Sequence, residues 1–262
     1  FDMLQPAAFA LTNADDRNGM VMLQNTGAGR KATYSTRDLA DFRVRVVEDR
    51  IDGMLLEFDG TAVETRFVGH FNASNLAAVY GAARLLGVSK DELPVLMSRL
   101  EPVAGRFQPF RSADGVTAIV DYAHTPDALV NVLDTIREVA GDSRVITVCG
   151  AGGNRDHGKR PLMAQAAADR SDLLILTSDN PRLEDPEAIL ADMRAGLDAS
   201  QLERTVTVTD RRMAIARAVA EAAPGDIILL AGKGHETTQT IGTEEFHFDD
   251  REEIANALKT RG

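Results

Sequence analysis

Four short loops of this 262-residue chain gather the groups able to do chemistry. The first is Gly150-Ala151-Gly152-Gly153-Asn154-Arg155-Asp156-His157-Gly158-Lys159-Arg160-Pro161, directly after the apolar run 145–148. It misses the dinucleotide fingerprint, because Arg155 stands where the third glycine belongs. It also misses the Walker A loop, because Arg160 replaces the Ser or Thr that holds Mg²⁺. What remains is a flexible turn into a helix, with Pro161 near the first helical position. Arg155, Lys159 and Arg160 surround the helix's positive end. The loop reads as an anion site or, more plainly, as a solvated basic turn.

The second loop, Thr177-Ser178-Asp179-Asn180-Pro181-Arg182, follows the run Leu173–Leu176. A guanidinium can clamp a carboxylate bidentately and a carboxylate can accept from an ammonium, so Asp179 and Arg182 together suit a zwitterion such as an amino acid. The plainer alternative is an Asx-turn beside a surface arginine. In the third, Ala231-Gly232-Lys233-Gly234-His235-Glu236, the glycines allow close backbone approach and Glu236 adds an acceptor for an amine. A Gly-Lys-Gly turn is commonplace, however, and His235 is the kind of residue that usually packs. The fourth, Asp121-Tyr122-Ala123-His124-Thr125-Pro126-Asp127, puts an acid at a strand end, where ribose hydroxyls are often held. It is equally a helix entry with Thr125 as N-cap. No His/Cys cluster has zinc spacing and no Gly-x-Ser-x-Gly elbow occurs. Phosphate and amino-acid handling remain.

The elements that must position these loops follow from periodicity. Short β-rich runs at 9–12, 31–34, 43–47, 54–58 and 62–67 are spaced too closely for intervening helices and predict antiparallel hairpins. Asn13–Asp16 could cap a helix toward Leu23. Leu76, Val79, Ala83 and Leu86 recur with helical period over 72–86, with Gly87 as the stop, and a second helix is expected over 90–100. Glu101-Pro102-Val103-Ala104-Gly105 is the expected boundary between domains at 1–103 and 104–262. Beyond it, β-rich runs at 116–120, 144–148, 173–176, 205–208 and 227–230 alternate with helical stretches at 126–139, 161–168, 186–196 and 212–223. That alternation predicts βαβ units and a mainly parallel sheet, with ligand loops at the strands' carboxyl ends.

Composition narrows the field. Hydrophobic residues make up 44% and charged ones 26%, ordinary globular values. Lys+Arg 29 against Asp+Glu 40 gives a net charge of −11, which disfavours nucleic acid and anionic membranes as partners. The single cysteine, Cys149, cannot form an internal disulfide, so a reducing cytoplasm fits. No apolar run approaches the roughly 18 residues of a spanning helix. The chain opens on Phe1 and reads as a piece of a longer protein.

Taken in order, Gly69-His70-Phe71-Asn72-x-x-Asn75, Gly105-Arg106, the 121–127 loop, Gly152 to Pro161, Asp179 to Arg182 and Gly232 to Glu236 resemble the Mur ligases. The resemblance spans most of the chain from Asn13 onward. It implies a Rossmann-like, mainly parallel carboxyl-terminal α/β domain preceded by the truncated end of a central α/β ATPase domain with antiparallel strands. It further implies ATP and Mg²⁺ as cofactors, UDP-N-acetylmuramoyl-L-alanyl-D-glutamate and meso-2,6-diaminopimelate as substrates, and a cytoplasmic monomer. By the same resemblance, Arg155, Asp179, Asn180, Pro181, Arg182, Gly232 and Glu236 correspond to amino-acid contacts. Asn72, Asn75, Arg106, Asp121 and His124 correspond to positions around ATP. The family's P-loop, Mg²⁺ ligands, carbamylated lysine and UDP-binding domain would lie upstream of Phe1, so the piece alone is expected to bind without turnover. Lysine-adding relatives and folylpolyglutamate synthetases are the sibling alternatives, and the Asp179–Arg182 turn disfavours both.

Overall fold

A computed structural model describes residues 1–261. They form two compact units, 1–101 and 102–261.

In the first unit, β1 (Phe9–Asn13), α1 (Gly19–Met22), β2 (Arg30–Ser35), β3 (Phe42–Arg50), β4 (Gly53–Phe58) and β5 (Thr61–Thr65) precede α2 (His70–Leu85) and α3 (Leu93–Ser98). The strands make one five-stranded sheet in the order β1-β2-β3-β4-β5. β3, β4 and β5 are the expected antiparallel hairpins, but β1–β2 and β2–β3 pair parallel. Residues 14–29, carrying α1, return the chain to the same sheet end. The two-residue register of Tyr34 on Phe42 and Ser35 on Arg43 needs only a short return loop. The expected cap at 13–16 is also displaced, because α1 begins at Gly19 after Asn18.

Helix α2 buries Ala73, Leu76, Ala77 and Tyr80 against the sheet, while Val79 and Leu86, expected on that face, are 47% and 74% exposed. Small residues decide the face. A Cβ on Gly81 would stand 2.9 Å from the Phe42 ring, so the helix lies close only along its Ala/Gly side. Gly87, at φ +96°, ends it by donating to Arg84 O. α3 is shorter than the expected 90–100 helix.

The second unit runs β6 (Gln108–Arg111), β7 (Thr117–Asp121), α4 (Pro126–Ala140), β8 (Val145–Cys149), α5 (Lys159–Ala168), β9 (Leu173–Leu176), α6 (Pro186–Arg194), α7 (Ala199–Glu203) and β10 (Thr205–Thr207). It continues with α8 (Arg211–Glu221), β11 (Ile227–Ala231), β12 (Thr238–Ile241), β13 (Glu244–His247) and α9 (Asp250–Lys259). Its six-stranded sheet has the order β10-β9-β8-β11-β7-β6, parallel except for the β6 edge. β7, β8, β9 and β11 are buried on both faces, as near-continuous apolar runs require. One face (Ala118, Val120, Ile146, Val148, Ile228, Leu230) packs on α8 and α9. Each such buried Ile or Leu contributes roughly 1.5–3 kcal/mol. Thr125 caps α4, accepting from Ala128 N at 3.3 Å. Pro161 is the third residue of α5, which starts at Lys159, so its missing N–H costs nothing in that first turn. Antiparallel β6, the β12–β13 hairpin, α7 and α9 are elements that strand–helix alternation did not bring out. Among the described residues no helix is long and apolar enough to cross a membrane.

Candidate functional site

A cavity of about 410 Å³ opens in the second unit at the carboxyl ends of β7, β8, β9 and β11. That is the edge where open parallel sheets place ligands. Four loops converge there. His124 and Tyr122 come from the β7 loop, Arg155 and Lys159 from the β8 loop, Asp179, Asn180 and Arg182 from the β9 loop, and Gly232 and Glu236 from the β11 loop.

The β9 loop carries most of the built geometry. Arg182 is held in the left-handed region at φ +52°, a conformation that costs a non-glycine residue about 1–2 kcal/mol. Its Nη1 donates to Gly153 O at 2.9 Å, and among the described residues its Nε and Nη2 find no protein acceptor. Arg182 lines the cavity, and this Nε–Nη2 side of its guanidinium is left unspent. Asp179 accepts from Asn180 N at 2.8 Å. Burial pushes its carboxyl up, and the positive charges of Arg211 and Lys233 oppose that push. Gly232, at φ +118°, lets the two loops touch, since a Cβ there would stand 2.9 Å from Asp179 Oδ2. Pro181 is buried in the same turn and does not line the cavity.

Asn180 is the hub. Its Nδ2 donates to Glu236 Oε2 at 2.9 Å, and its Oδ1 accepts from Thr240 N at 3.0 Å and from Lys233 Nζ at 3.3 Å. Lys233 is fully buried, and its ammonium also reaches Glu236 Oε2 at 3.2 Å and Thr238 O at 2.6 Å. Reading Gly-Lys-Gly as a commonplace turn overlooked this residue. Its burial rests on Asn180, far away in the chain, and on Glu236 and Thr238, which the Gly-Lys-Gly spacing does not announce. Behind Asp179 lies a second overlooked cation, Arg211, whose guanidinium grips Asp250 at 2.8 and 2.6 Å in a fully buried pair.

The β8 loop divides its cations. Arg160, expected beside Arg155 and Lys159 as an anion donor, is instead buried. Its Nη2 bonds both oxygens of Glu184 at 2.9 and 2.8 Å, and its Nη1 bonds Asp192 at 2.9 Å. Glu184 also accepts from Asn154 N, and that bond with Arg160's holds its carboxyl below the ordinary value. Arg160 therefore ties the loop to α6, because a buried guanidinium must be neutralised. Among the described residues Arg155 and Lys159 make no ion pair, so they supply the positive rim.

The β7 loop gives an aromatic flank. Arg106 lies 4.6 Å over the Tyr122 ring, which also meets the His124 and His235 rings at 4.6 and 4.9 Å. Asp121 sits behind this flank and is committed inward, accepting from Phe107 N and Ala123 N at 2.8 Å each. Burial raises its carboxyl, and those backbone donors offset the rise. Asn72 and Asn75 stand on α2 of the first unit. There Asn72 Nδ2 donates to Val68 O at 2.9 Å and Asn75 Nδ2 to Asn72 at 3.4 Å. Cys149 is buried under the loops, its thiol pushed up to about 12 by burial, so it is no nucleophile.

The cavity thus brings unspent arginine donors and the carboxylates of Asp179 and Glu236 to the strand ends of a mainly parallel sheet. Residues 105–234 match the family described as Mur ligase, glutamate ligase domain, and the chain belongs to the Mur ligases. The UDP-N-acetylmuramoyl-L-alanyl-D-glutamate–2,6-diaminopimelate ligase of Bacteroides thetaiotaomicron is 56% identical over 253 residues, 96% of this chain and 52% of the relative. The enzyme of that name from Cytophaga hutchinsonii is 49% identical over 262 residues, 100% of this chain and 54% of the relative. A solved structure with the same name overlays with a TM-score of 0.69 at 38% identity, covering 100% of this chain and 54% of that one. A folylpolyglutamate synthase from Thermotoga maritima shares the fold, with a TM-score of 0.65 at 14% identity over 87% of this chain and 52% of that one. The chain spans about half the length of the curated relatives it matches.

Proposed function

We propose that this chain is the amino-acid-binding half of an ATP-dependent ligase. The ligase joins meso-2,6-diaminopimelate to UDP-N-acetylmuramoyl-L-alanyl-D-glutamate in peptidoglycan precursor synthesis. The observation that carries the reading is Arg182, its unspent donors facing a cavity that also holds Asp179 and Glu236. Diaminopimelate differs from lysine by one carboxylate, and a forked guanidinium is the group that reads it. Asp179 and Glu236 take the ammonium of the same non-reacting end, and Arg155 adds to the positive rim. In the reaction, ATP phosphorylates the side-chain carboxylate of the D-glutamyl residue. The free amine of diaminopimelate attacks the acyl phosphate carbon, the C–O bond to phosphate breaks, and the amine loses a proton as the amide forms. The task of the chain's own residues is to hold that amine in line, where most of the rate gain of such transfers originates.

The first unit is the end of the ATP-binding domain, with Asn72 and Asn75 bordering the nucleotide. The second is the carboxyl-terminal domain, with Arg106 and His124 toward the ribose and base and Asp121 bracing the Phe107 and Ala123 backbone behind them. Among the described residues no three or more His, Cys, Asp or Glu come together to hold a metal. We assign Mg²⁺ no ligands in this chain and derive no step through it. A cytoplasmic monomer fits the single cysteine and the soluble nucleotide-linked substrate. Arg182→Ala in the full-length ligase tests the reading. The KM for diaminopimelate should rise about 10- to 100-fold, the loss expected of charge-assisted hydrogen bonds, and the preference over lysine should narrow. An unchanged preference would refute the assignment.

A further inference from the structure

The β12–β13 hairpin contributes no residue to the cavity lining, yet it grips the β9 loop at every residue that matters. Gln239 Nε2 donates to Asp179 O at 2.7 Å, and Thr240 N to Asn180 Oδ1 at 3.0 Å. Arg182 N donates to Thr240 O at 3.0 Å, and Gly242 N to Arg182 O at 2.7 Å, so Arg182 bridges Ile241 as a single parallel strand residue. Both backbone polar groups of the strained arginine are therefore satisfied by the hairpin. The hairpin's own shape depends on Gly242, which takes φ +62° in the two-residue turn between Ile241 and Glu244. Its entry is anchored by the bond from Lys233 to Thr238 O.

We propose that the β12–β13 hairpin is a specificity clamp, fixing Arg182 in its left-handed conformation so that the site reads the second carboxylate of its amino-acid substrate. Gly242 is the positioning residue, and it acts without touching the ligand. Left-handed backbone in a non-glycine residue persists only when its surroundings over-determine it, and here the hairpin supplies both hydrogen bonds. Asp179 and Glu236 keep other anchors, in β9 and in the Asn180–Lys233 pair. Loosening the turn at Gly242, whose N–H bonds Arg182 O, thus releases the carboxylate reader while the Gln239–Asp179 bond at the other end of the hairpin stays. The inference rests on the diaminopimelate reading of the site.

The test is a ligand-observed NMR titration of the whole chain with meso-diaminopimelate and, separately, with L-lysine. Gly242→Val strains the turn while its side chain enters open space, and Gly242→Pro also removes the N–H that donates to Arg182 O. Each should weaken diaminopimelate binding about five- to tenfold and leave lysine binding within about twofold. The exposed Glu245→Gln should alter neither. Parallel losses for both ligands, or no loss for either, would overturn the clamp while leaving the site reading intact. A wild-type chain that shows no preference for diaminopimelate would overturn the site reading, and the clamp with it.

Discussion

The ammonium of Lys233 lies 3.2 Å from Glu236 Oε2 and 2.6 Å from Thr238 O, with no solvent exposure, so one buried charge joins the third loop of the site to the hairpin behind it. A lysine is rarely tolerated at such depth unless paired and fully hydrogen-bonded, and here each of its three donors has an acceptor.

Replacing it shows how much rests on it. Lys233→Met keeps the volume but removes a donor from Asn180 Oδ1, Glu236 Oε2 and Thr238 O at once, and leaves the Glu236 carboxylate without its counter-charge. Because Glu236 is a third exposed, part of the penalty is relieved by water, and the expected cost is about 2–3 kcal/mol. Urea unfolding of the variant checks this, with the midpoint moving and the slope unchanged. A change under about 0.5 kcal/mol, as at an ordinary surface site, would contradict the role.

Arg160 should behave as a strut. Arg160→Met removes the shared partner of Glu184 and Asp192 and frees the loop that carries Arg155. The melting temperature should fall by roughly 5 °C or more. The amide of Asn154, now bonded to Glu184, should lose protection in hydrogen exchange. Arg155→Ala, which breaks no ion pair, should leave the melting temperature almost unchanged.

Asp179 gives the pH dependence. Burial raises its carboxyl above the ordinary 3.8, against the pull of Arg211 and Lys233 and with the push of Glu236 and Asp250. A raised carboxyl binds its proton more tightly in the folded state, so ionising it costs stability as pH rises through that range. Binding of an ammonium requires the ionised form, which reverses the sign for the ligand. Diaminopimelate affinity should fall on acidification, starting above the pH at which an ordinary aspartate protonates. Titrations at stepped pH would show the fall, and Asp179→Asn should bind weakly at every pH and flatten the curve.

The sheet, its strand-end loops and most of the cavity lining were legible in the sequence because they depend on local signals. Apolar runs such as Ile227–Ala231 are buried on both faces, and Thr125–Pro126 is a helix entry wherever it occurs. Arg182 and Asp179 could be singled out as a pair because their charges sit three residues apart. What was not legible depends on partners far away in the chain. Arg160 and Lys159 look alike in sequence, yet Glu184 and Asp192 bury one and leave the other on the rim. The parallel pairing of β1 with β2 turns on which way a loop returns, and closely spaced β-rich runs carry no sign of that direction. The β12–β13 hairpin is built from polar and exposed residues, so hydrophobic patterning passes over it.

Strand β11 lies between β7 and β8, although it is the last strand of the sheet to leave the ribosome. Until it arrives, β7 and β8 lack the neighbour each needs, and an apolar gap stays open at the centre of the layer. Closing it requires a pairing with β7 across more than a hundred residues of chain, the kind of long-range contact that slows folding and favours misassembly. The strand that delivers Lys233 and Glu236 is therefore also the keystone of the unit. Biogenesis and ligand capture are completed by the same late segment, and a nascent chain cannot possess the pocket before it possesses the fold.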